Sequence, residues 1–96
     1  MIIRGIGPSL VQAGISNPLP DPTLELRDSN GTLLQSNDNW QDDANQAALI
    51  SASGVAPTNP LESAIATSLF PGQYTAIVAD KNGATGIGLV EVFNTP

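Results

Sequence analysis

The side chains best equipped for chemistry cluster in one short stretch. Asn37, Asp38, Asn39, Asp42 and Asp43 place carboxylate and amide oxygens within seven residues. Calcium takes about six to eight oxygen ligands from such groups and from main-chain carbonyls. These residues could begin a Ca²⁺ site, completed by Asp21 or Asp28 from the same end of a sheet. The EF-hand pattern is missing, with no glycine at the sharp turn and no closing glutamate. The competing reading is that Asn37-Asp38-Asn39 only forms Asx-turns. Asp38, Asp42 and Asp43 could also be a carboxylate pair for glycoside hydrolysis, which needs two carboxyls about 5–10 Å apart across a cleft. Adjacent aspartates ahead of an Ala- and Gln-rich run are better explained as helix caps.

Other reactive centres are missing. The chain has no His and no Cys, so catalytic triads, zinc sites and imidazole relays lose their usual centre. Serines are plentiful but have no base to activate them. Lys81, the only lysine, falls in a predicted exposed turn rather than a desolvating pocket. Gly5-Ile6-Gly7 is too short for a dinucleotide fingerprint. Trp40, the only tryptophan, either plugs a corner of the core or serves as a flat platform for a sugar ring. A core this poor in aromatics favours burial. The expectation is a protein that is not an enzyme and has no cofactor beyond Ca²⁺.

These residues must be held by strands and turns. Thr23-Leu24-Glu25-Leu26-Arg27 alternates polar and apolar, the period of a half-buried strand. Asp28-Ser29-Asn30-Gly31 is a turn that can supply a positive φ, and Thr32 to Ser36 returns with Leu34 expected on the core side. Before the hairpin, Ile2-Ile3 suggests a short strand, Pro8 to Gly14 a helical turn, and three prolines between Asn17 and Thr23 a stiff loop. After it, residues 43–52 have helix-forming composition between an aspartate cap and Gly54, with Ala47, Ile50 and Leu49 facing the core. Three further strands follow, around Ile65, Tyr74–Ala79 and Ile87–Phe93. Phe70-Pro71-Gly72-Gln73 suits a type II turn and Asp80-Lys81-Asn82-Gly83 a second Asn-Gly turn. The sum is about six strands and one short helix, an all-β antiparallel sandwich or jelly roll, in one domain spanning 1–96.

Nine acids against three bases give a net charge of −6. Nucleic acid and anionic membrane surfaces both need a basic face, so neither is an expected partner. No apolar run approaches the roughly 18 residues of a membrane span. Met1 to Gly7 lacks the basic start and long apolar core of a signal peptide. Low charge with abundant Gly, Pro, Ser, Thr and Asn suits an extracellular or cell-surface module, whose export signal would lie outside this sequence.

Two resemblances sharpen these expectations. Asp21 to Leu26, Asp28 to Leu34, Ser36 to Asn39 and Leu69 to Val78 resemble the bacterial pre-peptidase C-terminal type of β-sandwich. That family implies an accessory domain of secreted enzymes and surface proteins, some of which bind Ca²⁺ or matrix polymers. Over nearly the whole chain, Ile3 to Leu10, Asp21 to Leu24, Ser36 to Trp40, Pro57 to Ala64 and Gly86 to Val92 look like a repeat module of large secreted or surface proteins of environmental bacteria. That group brings no established activity. In its longer members strand-forming sequence precedes the part equivalent to Ile2-Ile3-Arg4, which implies a sheet here with an unfilled edge.

An open edge exposes main-chain N–H and C=O groups and invites a strand from another copy. The expected assembly edge comprises Ile2, Ile3 and Arg4 with Ile87, Leu89, Val90 and Val92. The alternative is that the first and last strands pair with each other and close it. The function expected is a non-catalytic structural or adhesive module, whose partners are copies of itself or tandem neighbours and which could form filaments or arrays. The alternative is an accessory domain binding a polysaccharide or matrix polymer near Trp40.

Overall fold

A computed structural model describes residues 1–94 of the chain. The strands are β1 (Ile2–Ile6), β2 (Pro22–Asp28), β3 (Leu33–Asn37), β4 (Ser63–Ala66), β5 (Tyr74–Asp80) and β6 (Leu89–Phe93). A 3₁₀ helix (Pro8–Ala13) follows β1, and α1 (Ala44–Ala52) lies between β3 and β4. The strands form two three-stranded antiparallel sheets, ordered β4-β1-β6 and β3-β2-β5. The expected β-sandwich is what the chain forms.

The strand β1 explains the consecutive isoleucines. Successive side chains of a strand point to opposite faces, so Ile2-Ile3 is apolar on both. Ile3 packs with Leu24, Leu26 and Ile65 between the two sheets. Ile2 packs on the other face with Trp40, Ile50 and Ala64. The β4-β1-β6 sheet therefore has the second sheet on one side and α1 with the Trp40 corner on the other. Arg4 finishes that second face. It pairs with Glu91, donates to the Val55 carbonyl at 3.2 Å and lies 4.9 Å from the centre of the Phe93 ring.

The expected open edge at Ile2, Ile3 and Arg4 is corrected here. β1 is the middle strand, with Ile3 opposite Ile65 on one side and Val92 on the other. The first and last strands do pair, so those residues have no free main-chain edge. Of the other expected edge residues, Leu89, Val90 and Val92 belong to β6, while Ile87 precedes it in an isolated bridge to Pro18.

The hairpin keeps its alternation through β2, with Leu24 and Leu26 buried and Thr23, Glu25 and Arg27 half-buried. Gly31 has φ 81° and its N–H bonds the Asp28 carbonyl at 3.0 Å. Leu34 does not reach the core. The register slips so that Leu26 faces Gln35 and Arg27 faces Leu33, leaving Leu34 as the extra residue of a bulge. Leu49 is likewise exposed on α1, while Ile50 is fully buried and Ala47 packs at its side. The Phe70–Gln73 turn is not type II, because Gly72 lacks the positive φ that type requires.

Candidate functional site

The polar corner that follows β3 distributes its side chains among separate tasks. The Asn37 amide donates to the Asn39 carbonyl at 3.1 Å and accepts the Ala64 N–H at 3.0 Å. Asp38 holds Lys81 at 2.8 Å. Asp43 is the N-cap of α1 and accepts the Gln46 N–H at 3.0 Å. Asp42 is exposed, and its N–H closes a turn on the Asn39 carbonyl at 3.0 Å. Asn37, Asp38, Asn39, Asp42 and Asp43 are thus not gathered around one point. Among the described residues no group of three or more His, Cys, Asp or Glu is placed to hold a metal ion. Exposure of Asp42 and Asp43 at a helix start also leaves them without the cleft that paired-carboxylate hydrolysis needs.

Trp40 is buried, 9% exposed, and packed with Ile2, Ile50 and Ala64. A ring buried there cannot be the platform for a sugar, and that expectation is corrected. Its main-chain N–H donates to the Glu62 carbonyl at 2.9 Å.

Glu62 is the residue that sequence reasoning missed. It is fully buried just before β4. One carboxylate oxygen accepts the Gly7 N–H at 2.9 Å, the Ser9 N–H at 3.0 Å and the Ser9 hydroxyl at 2.6 Å. The Gly7-Pro8-Ser9 turn and the Leu61-Glu62-Ser63 stretch are therefore two halves of one lock. A Cβ on Gly7 would lie 2.3 Å from the Leu19 carbonyl oxygen, so the turn needs glycine there.

At the beginning of β2 a second acidic grouping forms from distant residues. The Asp21 N–H donates to Asp80 at 2.9 Å and its carbonyl accepts the Lys81 N–H at 2.9 Å. Partial burial first, and then the Asp38 hydrogen bond and charge, hold the Asp21 pKa above the usual carboxylate value. The same Asp38 contact raises that of Lys81. Burial alone would raise that of Asp80, but donation from the Asn82, Ala84 and Asp21 N–H groups outweighs it and lowers the value.

The sheet edges differ in how they end. On β4 the Ala64 N–H is taken by Asn37, and both the N–H and the carbonyl of Ala66 are taken by the Gln46 amide, at 2.9 and 3.1 Å. Those outward N–H groups fix the alternation of the ladder. Ile3 and Gly5 bond toward β4, while Ile2, Arg4 and Ile6 bond toward Phe93, Glu91 and Leu89. The main chain of Val90 and Val92 is then directed away from β1, at the end of the sheet. Among the described residues no hydrogen bond reaches that side of β6. Leu89 and Val92 are exposed beside it, and the only charge on the strand, Glu91, is engaged by Arg4. No protein-family model, curated protein or solved structure matches this chain.

Proposed function

We propose that this chain is a non-catalytic structural or adhesive module of an extracellular or cell-surface setting, which packs with copies of itself or with tandem neighbours through the edge of β6. The observation that carries the reading is the contrast between the edges of one sheet. Side chains from α1 and from the corner plug β4, whereas the outer side of β6 meets no hydrogen bond among the described residues and is flanked by exposed Leu89 and Val92. Unprotected apolar edges of this kind recruit strands. Pairing of β6 with β6 of a second copy closes as a dimer, while pairing with β3 or β5 of the next copy does not close and propagates. The resemblance to repeat modules of large secreted or surface proteins supports the setting, although that group brings no established activity.

The test is particle mass by analytical ultracentrifugation over a wide concentration range, with negative-stain micrographs of the same samples. Assembly is expected for the native chain and its loss for Val92→Lys, which puts a charge on the edge. A native chain that stays monomeric at every concentration refutes the proposal. Assembly that survives in Val92→Lys refutes the assignment to β6.

A further inference from the structure

We propose that Asn30-Gly31 is a self-modification site, where asparagine converts to aspartate or isoaspartate well before the second Asn-Gly pair, Asn82-Gly83, does so. The Gly31 nitrogen attacks the side-chain carbonyl carbon of Asn30 and gives up its proton. A new C–N bond closes a succinimide ring, and the side-chain amide leaves as ammonia. Solvent water then opens the ring at either carbonyl. The chemistry needs a nitrogen unshielded by its own side chain, access to water, and a turn that opens far enough to free the N–H.

The two pairs sit in matching turns. In the first, the Asp28 carbonyl accepts the Gly31 N–H at 3.0 Å, and its carboxylate accepts the Asn30 and Thr32 N–H groups at 2.9 and 3.0 Å. In the second, Asp80 accepts the Gly83, Asn82 and Ala84 N–H groups in the same way, at 3.1, 2.9 and 3.1 Å. Gly31 and Gly83 have φ of 81° and 76°, and nothing lies within 4 Å of where a Cβ would stand on either. Both asparagines are exposed. The turns differ in what anchors them. Lys81 donates its main-chain N–H to the Asp21 carbonyl at 2.9 Å, Asp80 accepts the Asp21 N–H at 2.9 Å, and the Lys81 ammonium holds Asp38 at 2.8 Å. Among the described residues, every hydrogen bond of Ser29 to Thr32 ends between Arg27 and Thr32. A turn bonded only to its own neighbours opens locally at lower cost. Arg27 adds a second bias. Its guanidinium donates to the Gly31 carbonyl at 2.9 Å, which sets a positive charge beside the nitrogen that must lose its proton.

The product carries an added negative charge, and isoaspartate lengthens the main chain of the turn that sets the β2–β3 register. The test incubates the native chain in mildly alkaline buffer, folded and in urea, and follows positions 30 and 82 by peptide mapping with mass spectrometry. In the folded chain position 30 should convert at least about fivefold faster than position 82, the factor that one net hydrogen bond of extra anchoring supplies. In urea the two rates should converge, since both pairs then lie in an open chain. Asn30→Gln should remove the early acidic species seen by ion-exchange chromatography, and Asn82→Gln should leave it. Position 82 converting first, or at the same rate, in the folded chain overturns the proposal. So does a preference for position 30 that persists unchanged in urea, because neighbouring sequence rather than anchoring would then set it. A folded chain that converts at neither position while the unfolded chain converts at both overturns it as well.

Discussion

Glu62→Gln is the most direct test of what holds the N-terminal turn. One oxygen of this fully buried carboxylate serves three donors, the N–H of Gly7, the N–H of Ser9 and the Ser9 hydroxyl, at 2.9, 3.0 and 2.6 Å. Hydrogen bonds to a charged group each contribute roughly 1.5–3 kcal/mol, against about 1 kcal/mol for neutral ones. Glutamine keeps the shape and one acceptor but removes the charge, so the three bonds weaken together. The expected loss is about 2–3 kcal/mol, after allowing for relief of the desolvation cost of a buried anion. Alanine would leave all three donors bare, at about 3–5 kcal/mol. A chain of this length has roughly 5–14 kcal/mol in total, so the glutamine variant is the one that stays measurable.

Urea denaturation can be followed through Trp40, because it is the only tryptophan, is buried, and is hydrogen-bonded through its main chain to Glu62. Ser9→Ala removes one donor and should cost about 1 kcal/mol. In the double variant the two losses should fall short of their sum by at least about 0.5 kcal/mol, as residues in one network do. Additive losses, or a Glu62→Gln chain within about 0.5 kcal/mol of the native one, would mean that the carboxylate does not hold the turn.

Four other substitutions probe the framework. Gly7→Ala sets a methyl 2.3 Å from the Leu19 carbonyl oxygen and against the Pro22 ring, and should cost more than about 2 kcal/mol by chemical denaturation. Asp43→Ala removes the α1 cap and should cost about 1 kcal/mol, while Asp42→Ala, one residue earlier and exposed, should stay within about 0.5 kcal/mol in the same assay. Gln46→Ala frees both main-chain groups of Ala66 and should cost about 1–2 kcal/mol; amide exchange at Ala66 should accelerate while that at Ile65, bonded toward β1, changes far less.

The parts of the fold legible from sequence were those set by local rules. The β2 alternation, the Asn-Gly turn and the Asp43 cap each depend on residues a few positions apart, and each forms where its pattern lies. Leu34 failed because a one-residue bulge, invisible in the spacing, moved it off the core side. Ile2-Ile3 carried a stronger message than its length suggests. Two consecutive isoleucines with no polar alternation mark a strand covered on both faces, as β1 is, whereas its central place in the sheet is set by its pairing with β4 and β6.

The polar residues were harder to read because their partners lie far along the chain. Asn37, first considered for a metal ion, plugs the edge of a strand 27 positions away. Glu62 reaches back 55 positions to Gly7, and Asp21 reaches forward 59 to Asp80. The same oxygen-rich side chains would serve an ion, a cap, an edge or a turn, and only the tertiary partner decides among them. Edges obey the opposite logic. A plugged edge uses up polar groups from elsewhere, as β4 uses Asn37 and Gln46, while β6 has exposed Leu89 and Val92 and its only charge turned inward to Arg4. If selection had acted for a solitary monomer, β6 is where a lysine, a proline or a plugging amide would cost least. Their absence from the strand is therefore the strongest reason to test the β6 edge first.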